Sequence, residues 1–124
     1  MKMTNIMVKP EDAFPMDRVV GAGEVNIFPP NTAVTGVVPT RKNKRCVYTI
    51  VLSDTSGVAN WIEIRVYSAL GVLERVWRIP LVINDTLPMI NQMNDPILEV
   101  PAGKILRAIA GVASVRVHMM CYDI

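Results

Sequence analysis

The 124-residue chain is short of the side chains that carry most catalytic and metal chemistry. It has one histidine, His118, and two cysteines, Cys46 and Cys121. A transition-metal site needs several converging imidazole, thiolate or carboxylate ligands and is thinly supplied here. No C-x-x-C pair occurs, which excludes a zinc knuckle or a thioredoxin-type motif and leaves the expectation of two buried free thiols in a reducing compartment. No D-x-D-x-D-G run suggests a calcium loop, and Asp85, Asp95 and Asp123 read as turn or terminal residues. Gly21-Ala22-Gly23 opens like a dinucleotide fingerprint, yet Asn26 stands where the third glycine belongs and no helix follows. The expectation is a chain with no cofactor and no metal.

Charge is scarce as well. Charged residues make up 19% of the chain, against an ordinary ~25%. Thirteen cations against eleven acids leave a net charge of +2, too slight for non-specific binding to a polyanion unless it is concentrated locally. One such concentration exists, Arg41-Lys42-Asn43-Lys44-Arg45, and its position just before an apolar run reads as a solvated loop. Contact with an acidic neighbouring subunit is the main rival for it. Direct nucleic-acid contact ranks below both, because neither flanking cations nor stacking aromatics extend the patch.

Long apolar runs are absent too. Glu63, Arg65, Glu74, Arg75 and Arg78 interrupt the greasiest region well short of the ~18 residues of a membrane span. At the amino terminus Lys9, Glu11 and Asp12 arrive before an export signal's apolar core could form, so synthesis without export and no membrane contact are expected.

What the chain has is apolar residues, 51% of the total, in one domain's length. That excludes a disordered chain. It also leaves more apolar surface than one small core uses, which packing into an assembly would cover.

From residue 45 onward the apolar period is close to two and β-branched residues dominate, which predicts strands. Arg45 to Ser53 is apolar on both faces, as in a central strand. In Trp61 to Tyr67 the Ile62, Ile64 and Val66 face points to a core, and the other face carries Trp61, Glu63, Arg65 and Tyr67. Val72 to Ile79 reads as a strand stopped by Pro80, and Leu81 to Ile83 as a short one before an Asn84-Asp85-Thr86 turn. Ile97 to Val100, Ile105 to Ala110 and Val115 to Tyr122 complete the series, with Pro101-Ala102-Gly103-Lys104 and Gly111 supplying reversals. A helix over Ala102 to Ala110 is the one alternative, and Gly103 and Gly111 leave it too short. Upstream, Glu24 to Phe28 and Ala33 to Val38 read as strands around Pro29-Pro30-Asn31. Eight or nine strands predict an all-β antiparallel sandwich over residues 23–124. Residues 1–22 lack a clear period, and Ile6, Met7, Val8, Phe14 and Met16 are too apolar for a solvated tail. They read as an extended N-terminal arm lying on its own sandwich or on a neighbour.

Candidate chemistry is sparse in this frame. His118 sits mid-strand with no G-x-S-x-G elbow, so a surface or interface histidine is the simpler reading. Cys121 lies three residues on and faces the opposite way, while a pairing of Cys46 with His118 stays open. Glu63, Glu74 and Glu99 fall on different strands and read as solvated positions rather than a glycosidase pair. Trp61 and Tyr67 share one face and keep a sugar-stacking surface in view, although aromatics on a sandwich more often serve a core or a subunit interface.

From Tyr48 on, the order of elements resembles small β-sandwich structural proteins of tailed phages and similar viruses. The matching pieces are Tyr48-Thr49-Ile50-Val51-Leu52-Ser53-Asp54-Thr55-Ser56-Gly57, Trp61 to Val66, Trp77-Arg78-Ile79-Pro80-Leu81, Ile97 to Leu106 with its Pro101-Ala102-Gly103-Lys104 turn, and Val115-Arg116-Val117. The resemblance implies a jelly-roll-like sandwich without catalytic residues. It would serve in a virion, assembled in the host cytoplasm, as a capsid decoration, cement, minor capsid or tail-associated subunit. Expected partners are further copies of the chain, as a trimer or higher oligomer, and other capsid proteins. A carbohydrate- or receptor-binding sandwich is the alternative.

Overall fold

In a computed structural model of the chain, residues 13–28 and 44–124 are described. Among them are nine strands and no helix: β1 (Phe14–Val20), β2 (Val25–Phe28), β3 (Arg45–Asp54), β4 (Asn60–Tyr67), β5 (Leu73–Leu81), β6 (Thr86–Ile90), β7 (Leu98–Val100), β8 (Ile105–Ala110) and β9 (Val115–Asp123). Two antiparallel sheets result. The first runs β1-β9-β3-β6 with β7 also paired to β3, and the second runs β2-β8-β4-β5. Four of the pairings nest: β1 with β9, β2 with β8, β3 with β6 and β4 with β5. The chain therefore follows one long two-stranded ribbon whose successive pairs fall alternately in one sheet and the other.

Alternation decides which side chains meet between the sheets. Ile62, Ile64 and Val66 of β4 face Leu106, Ala108 and Ala110 of β8 and, across the gap, Ile50, Leu52, Val117 and Met119 of the first sheet. These residues form one continuous core, and Leu52, Ile62, Leu106 and Met119 are fully enclosed. Each buried aliphatic side chain of this size contributes about 1.5–3 kcal/mol. Truncating any of these four to alanine would cost about 2–5 kcal/mol.

Turn chemistry agrees with the sequence at two places. In Pro101–Lys104, Gly103 takes φ 81° and the Lys104 amide donates to the Pro101 carbonyl, the type II geometry that requires positive φ at the third position. Asn84 takes φ 55° in the turn that carries the chain from β5 in one sheet to β6 in the other.

Four differences from the sequence reading have physical causes. Phe14–Val20, read as part of an arm, forms β1 and pairs along the whole of its length with β9. Residues 1–12 and the Ala33 to Val38 segment lie outside the described residues. Pro80 does not stop β5, which runs on to Leu81; β5 is the edge of its sheet, where a missing N–H is tolerated. Leu81 to Ile83 is not a separate strand, and the strand that follows the turn is β6, which accepts Pro88 for the same edge reason.

The fourth difference concerns the basic cluster. Arg45 is not in a solvated loop: it opens β3 and is buried. Its guanidinium makes a two-pronged contact with Asp123 of β9, Nε to Oδ1 at 2.8 Å and Nη2 to Oδ2 at 2.9 Å. The same group lies 4.7 Å over the Phe14 ring and donates to Met16 Sδ, so it joins β1, β3 and β9. Lys44 pairs with Glu99 at 2.5 Å, and this carboxylate raises the lysine's pKa.

Candidate functional site

The outward face of the second sheet gathers one of the three candidate acids, Glu63, into a lattice of charged side chains. Glu63 and Arg65 alternate on β4, Arg78 lies opposite Glu63 on β5, Arg107 opposite Arg65 on β8, and Glu24 precedes β2. Arg65 bridges Glu63 and Glu24 at 2.7 Å each, Arg78 reaches Glu63 at 2.6 Å, and Tyr67 donates to Glu24 at 2.5 Å. Hydrogen bonds from Arg65 and Arg78 hold the Glu63 carboxyl below its usual range. Burial alone would raise Glu24, but Tyr67 and Arg65 outweigh it and lower that carboxyl too. Two carboxylates stabilised as anions are poor proton donors near neutral pH. Glu74 and Glu99 stand apart from them, each held by a lysine.

The rings that kept a sugar platform in view belong to this lattice. Arg78 lies 3.9 Å from the centre of the Trp61 ring, and Arg107 lies 4.7 Å from that of Tyr67. Trp61 is further fixed by the β8–β9 turn, where the Gly111 amide donates to the Trp61 carbonyl and a Cβ on Gly111 would collide with the indole Nε1.

On the outward face of the first sheet, His118 pairs with Asp17 of β1 at 2.5 Å, beside Arg116 and Ser53 in a shallow groove. No cysteine joins it. Cys121 points into the core beside Val47, and Cys46 lies on the opposite face against Tyr122. Both thiols are free, and burial raises both, Cys121 to about 12. Ser114, just before β9, shares a hydrogen bond with Thr55. Among the described residues no three His, Cys, Asp or Glu side chains group as metal ligands would, and no helix is long and apolar enough to cross a membrane.

The feature left open is the flank formed by β5 and β6. There the core row of Trp77, Ile79, Leu87, Met89 and Ile97 is only partly covered, and an apolar cleft of about 470 Å³ opens between the sheet edges. Val76, which lines it, is 44% exposed; elsewhere on β5, β6 and the turns that adjoin them Leu73, Val82 and Ile90 are exposed, Ile90 by 69%, and Leu70 at the β4–β5 turn by 92%. Among the described residues the four sheet edges also differ. β1 carries Pro15, β6 carries Pro88 at its centre, and β2 has four residues, whereas β5 offers seven residues from Leu73 to Ile79 without proline. Natural proteins blunt exposed edges with proline, short length, bulges or charged side chains. Between a bulge near Leu73, opposite Tyr67, and Pro80, β5 relies on charge alone: Glu74, Arg75 and Arg78. Sequence alone marked Val72 to Ile79 as a strand but not as an edge; the interleaved Glu74, Arg75 and Arg78, which leave neither face purely apolar, were the available signal.

No protein-family model matches the chain, and no curated protein matches it.

Proposed function

We propose that the chain is a non-enzymatic structural subunit of a virus particle, made in the host cytoplasm, that acts by self-association and by docking to other particle subunits. The observation that carries this reading is the β5–β6 flank, where a sheet edge guarded between its bulge and Pro80 by charge alone borders an incompletely covered apolar row. Such a flank is an aggregation hazard in a solitary protein and an ordinary feature of a subunit whose neighbour completes it.

A jelly-roll topology goes with the reading. The orders β1-β9-β3-β6 and β2-β8-β4-β5, with their nested pairs, are what a ribbon rolled into two four-stranded sheets produces, β7 being an addition beside β3. Double-sheet jelly rolls serve in capsid and lectin domains alike. The arginines over Trp61 and Tyr67 weigh against the lectin-like alternative, since a sugar would have to displace them. The separation of His118 from both thiols, and the lowered pKa values of Glu63 and Glu24, support a role without turnover.

Light scattering on the purified full chain across a wide concentration range tests the proposal. A persistent oligomer is expected. A monomer at every concentration overturns self-association, and glycan binding that is lost in Trp61→Ala would then replace this reading with a binding module.

A further inference from the structure

From the β5 edge we infer that two copies of this chain join antiparallel through Glu74–Arg78, with Val76 opposite Val76 on a two-fold axis, so that the second sheet continues across both molecules. The inference rests on the assembly reading and specifies its contact.

The register follows from charge. A two-fold axis perpendicular to a continuous sheet places each residue opposite one that shares its face, so the two positions must differ by an even number. Centring the axis on Arg75 or on Arg78 sets an arginine directly against its own copy, which like-charge repulsion disfavours. A Trp77 centre leaves Arg75 opposite Ile79 and Arg78 opposite Val76, with no opposite charge for either. With Val76 at the axis, Glu74 meets Arg78 twice and Arg75 meets Trp77 twice, all within the regular run that follows the bulge at Leu73. Glu74 uses Oε1 for Lys104, and Arg78 uses Nε and Nη2 for Glu63, so Oε2 and Nη1 remain for the pair across the axis. Arg75 already lies 4.8 Å over the Trp77 ring of its own strand, and the same cation–ring attraction is repeated between copies. The bulge at Leu73 and the proline at Pro80 mark the limits of the pairing.

The other candidate neighbours fit this edge less well. The lattice on the outward face of the second sheet is satisfied within the chain, and the edges β1, β2 and β6 are blunted by Pro15, by shortness and by Pro88.

Cysteine cross-linking tests the register in the full chain. Directly opposed residues of an antiparallel pair lie about 4.5–5.5 Å apart at Cα, within the range a disulfide spans. Val76→Cys is expected to give a covalent dimer under mild oxidation, and a mixture of Glu74→Cys with Arg78→Cys is expected to give the mixed dimer in preference to either homodimer. Buried Cys46 and Cys121 serve as the background, measured in the unsubstituted chain. Arg78→Glu should weaken association about tenfold or more, and a copy carrying Glu74→Arg should restore it. Circular dichroism establishes that each variant is folded. If the chain is oligomeric by light scattering but Val76→Cys stays reduced and Arg78→Glu changes nothing, the β5 contact is wrong while the assembly reading stands. A chain that is monomeric throughout overturns both.

Discussion

The two flanks of the sandwich handle charge and apolar surface in opposite ways. On the β1–β9–β3 side a cation and an anion, Arg45 and Asp123, are drawn inside and packed against Phe14 and Met16, and the strand edges close over them. On the β5–β6 side the charges sit outside and the apolar residues are left in the open. Closure by a buried pair costs desolvation that only tight geometry offsets, so it suits a seam that never opens. Exposed valine, leucine and isoleucine beside arginine and glutamate cost little in the isolated chain and favour a neighbour. One molecule thus has a finished flank and an unfinished one.

The largest expected effect tests the finished flank. Arg45→Ala strands the Asp123 carboxylate in a nearly dry site and should destabilise the fold by about 3–5 kcal/mol, read as a lower urea midpoint. Replacing both partners together, with Arg45→Met and Asp123→Leu, should restore most of that loss. A double variant as unstable as the single one would mean that the charge pair itself is required.

Next in size is the junction between Trp61 and the β8–β9 turn. Gly111→Ala forces the indole to shift, and overpacking of this kind typically costs about 1–3 kcal/mol. A fluorescence change from Trp61 should accompany the loss, whereas Gly23→Ala, which meets nothing, serves as the control.

Smaller still is the pH response of the lattice on the second sheet. The folded state lowers the pKa of Glu63, through Arg65 and Arg78, and of Glu24, so the unfolded chain takes up protons first as the pH falls. The stability these two groups confer is complete above their ordinary value of 4.5 and is lost as the pH drops through the lower folded values. Unfolding midpoints should therefore decline below pH 4.5, and Glu63→Gln should flatten that decline. An equal slope in the variant would remove Glu63 from the account.

Much of the fold was legible in alternation. β3, β4, β8 and β9 follow from period two in a chain that buries one or both faces, and the inward set Ile62, Ile64 and Val66 reads directly off the sequence. β1, β6 and the end of β5 were obscured by Pro15, Pro88 and Pro80, because proline signals a stop unless the strand is known to be an edge, and edges are set by pairing. The partners of Arg45 were out of reach for a related reason: Asp123 is 78 residues away, and no local pattern reports a contact of that span. The same holds for the flank. Which valines lie exposed depends on where β5 falls in the sheet order, and the sequence gives only that β5 is a strand.

The smallest effect on stability should come from the unfinished flank, and that smallness is the informative part. Val76 is 44% exposed on an edge strand, so Val76→Lys removes little burial from the isolated chain and should shift its unfolding free energy by no more than about 0.5 kcal/mol. A lysine there is also the device by which edges are ordinarily protected. If β5 is a contact, the same substitution should lower the solution mass while leaving the urea midpoint of the dissociated chain in place. Loss of stability without loss of mass would show that Val76 supports the monomer, and the contrast between the two flanks would then be one of degree rather than of purpose.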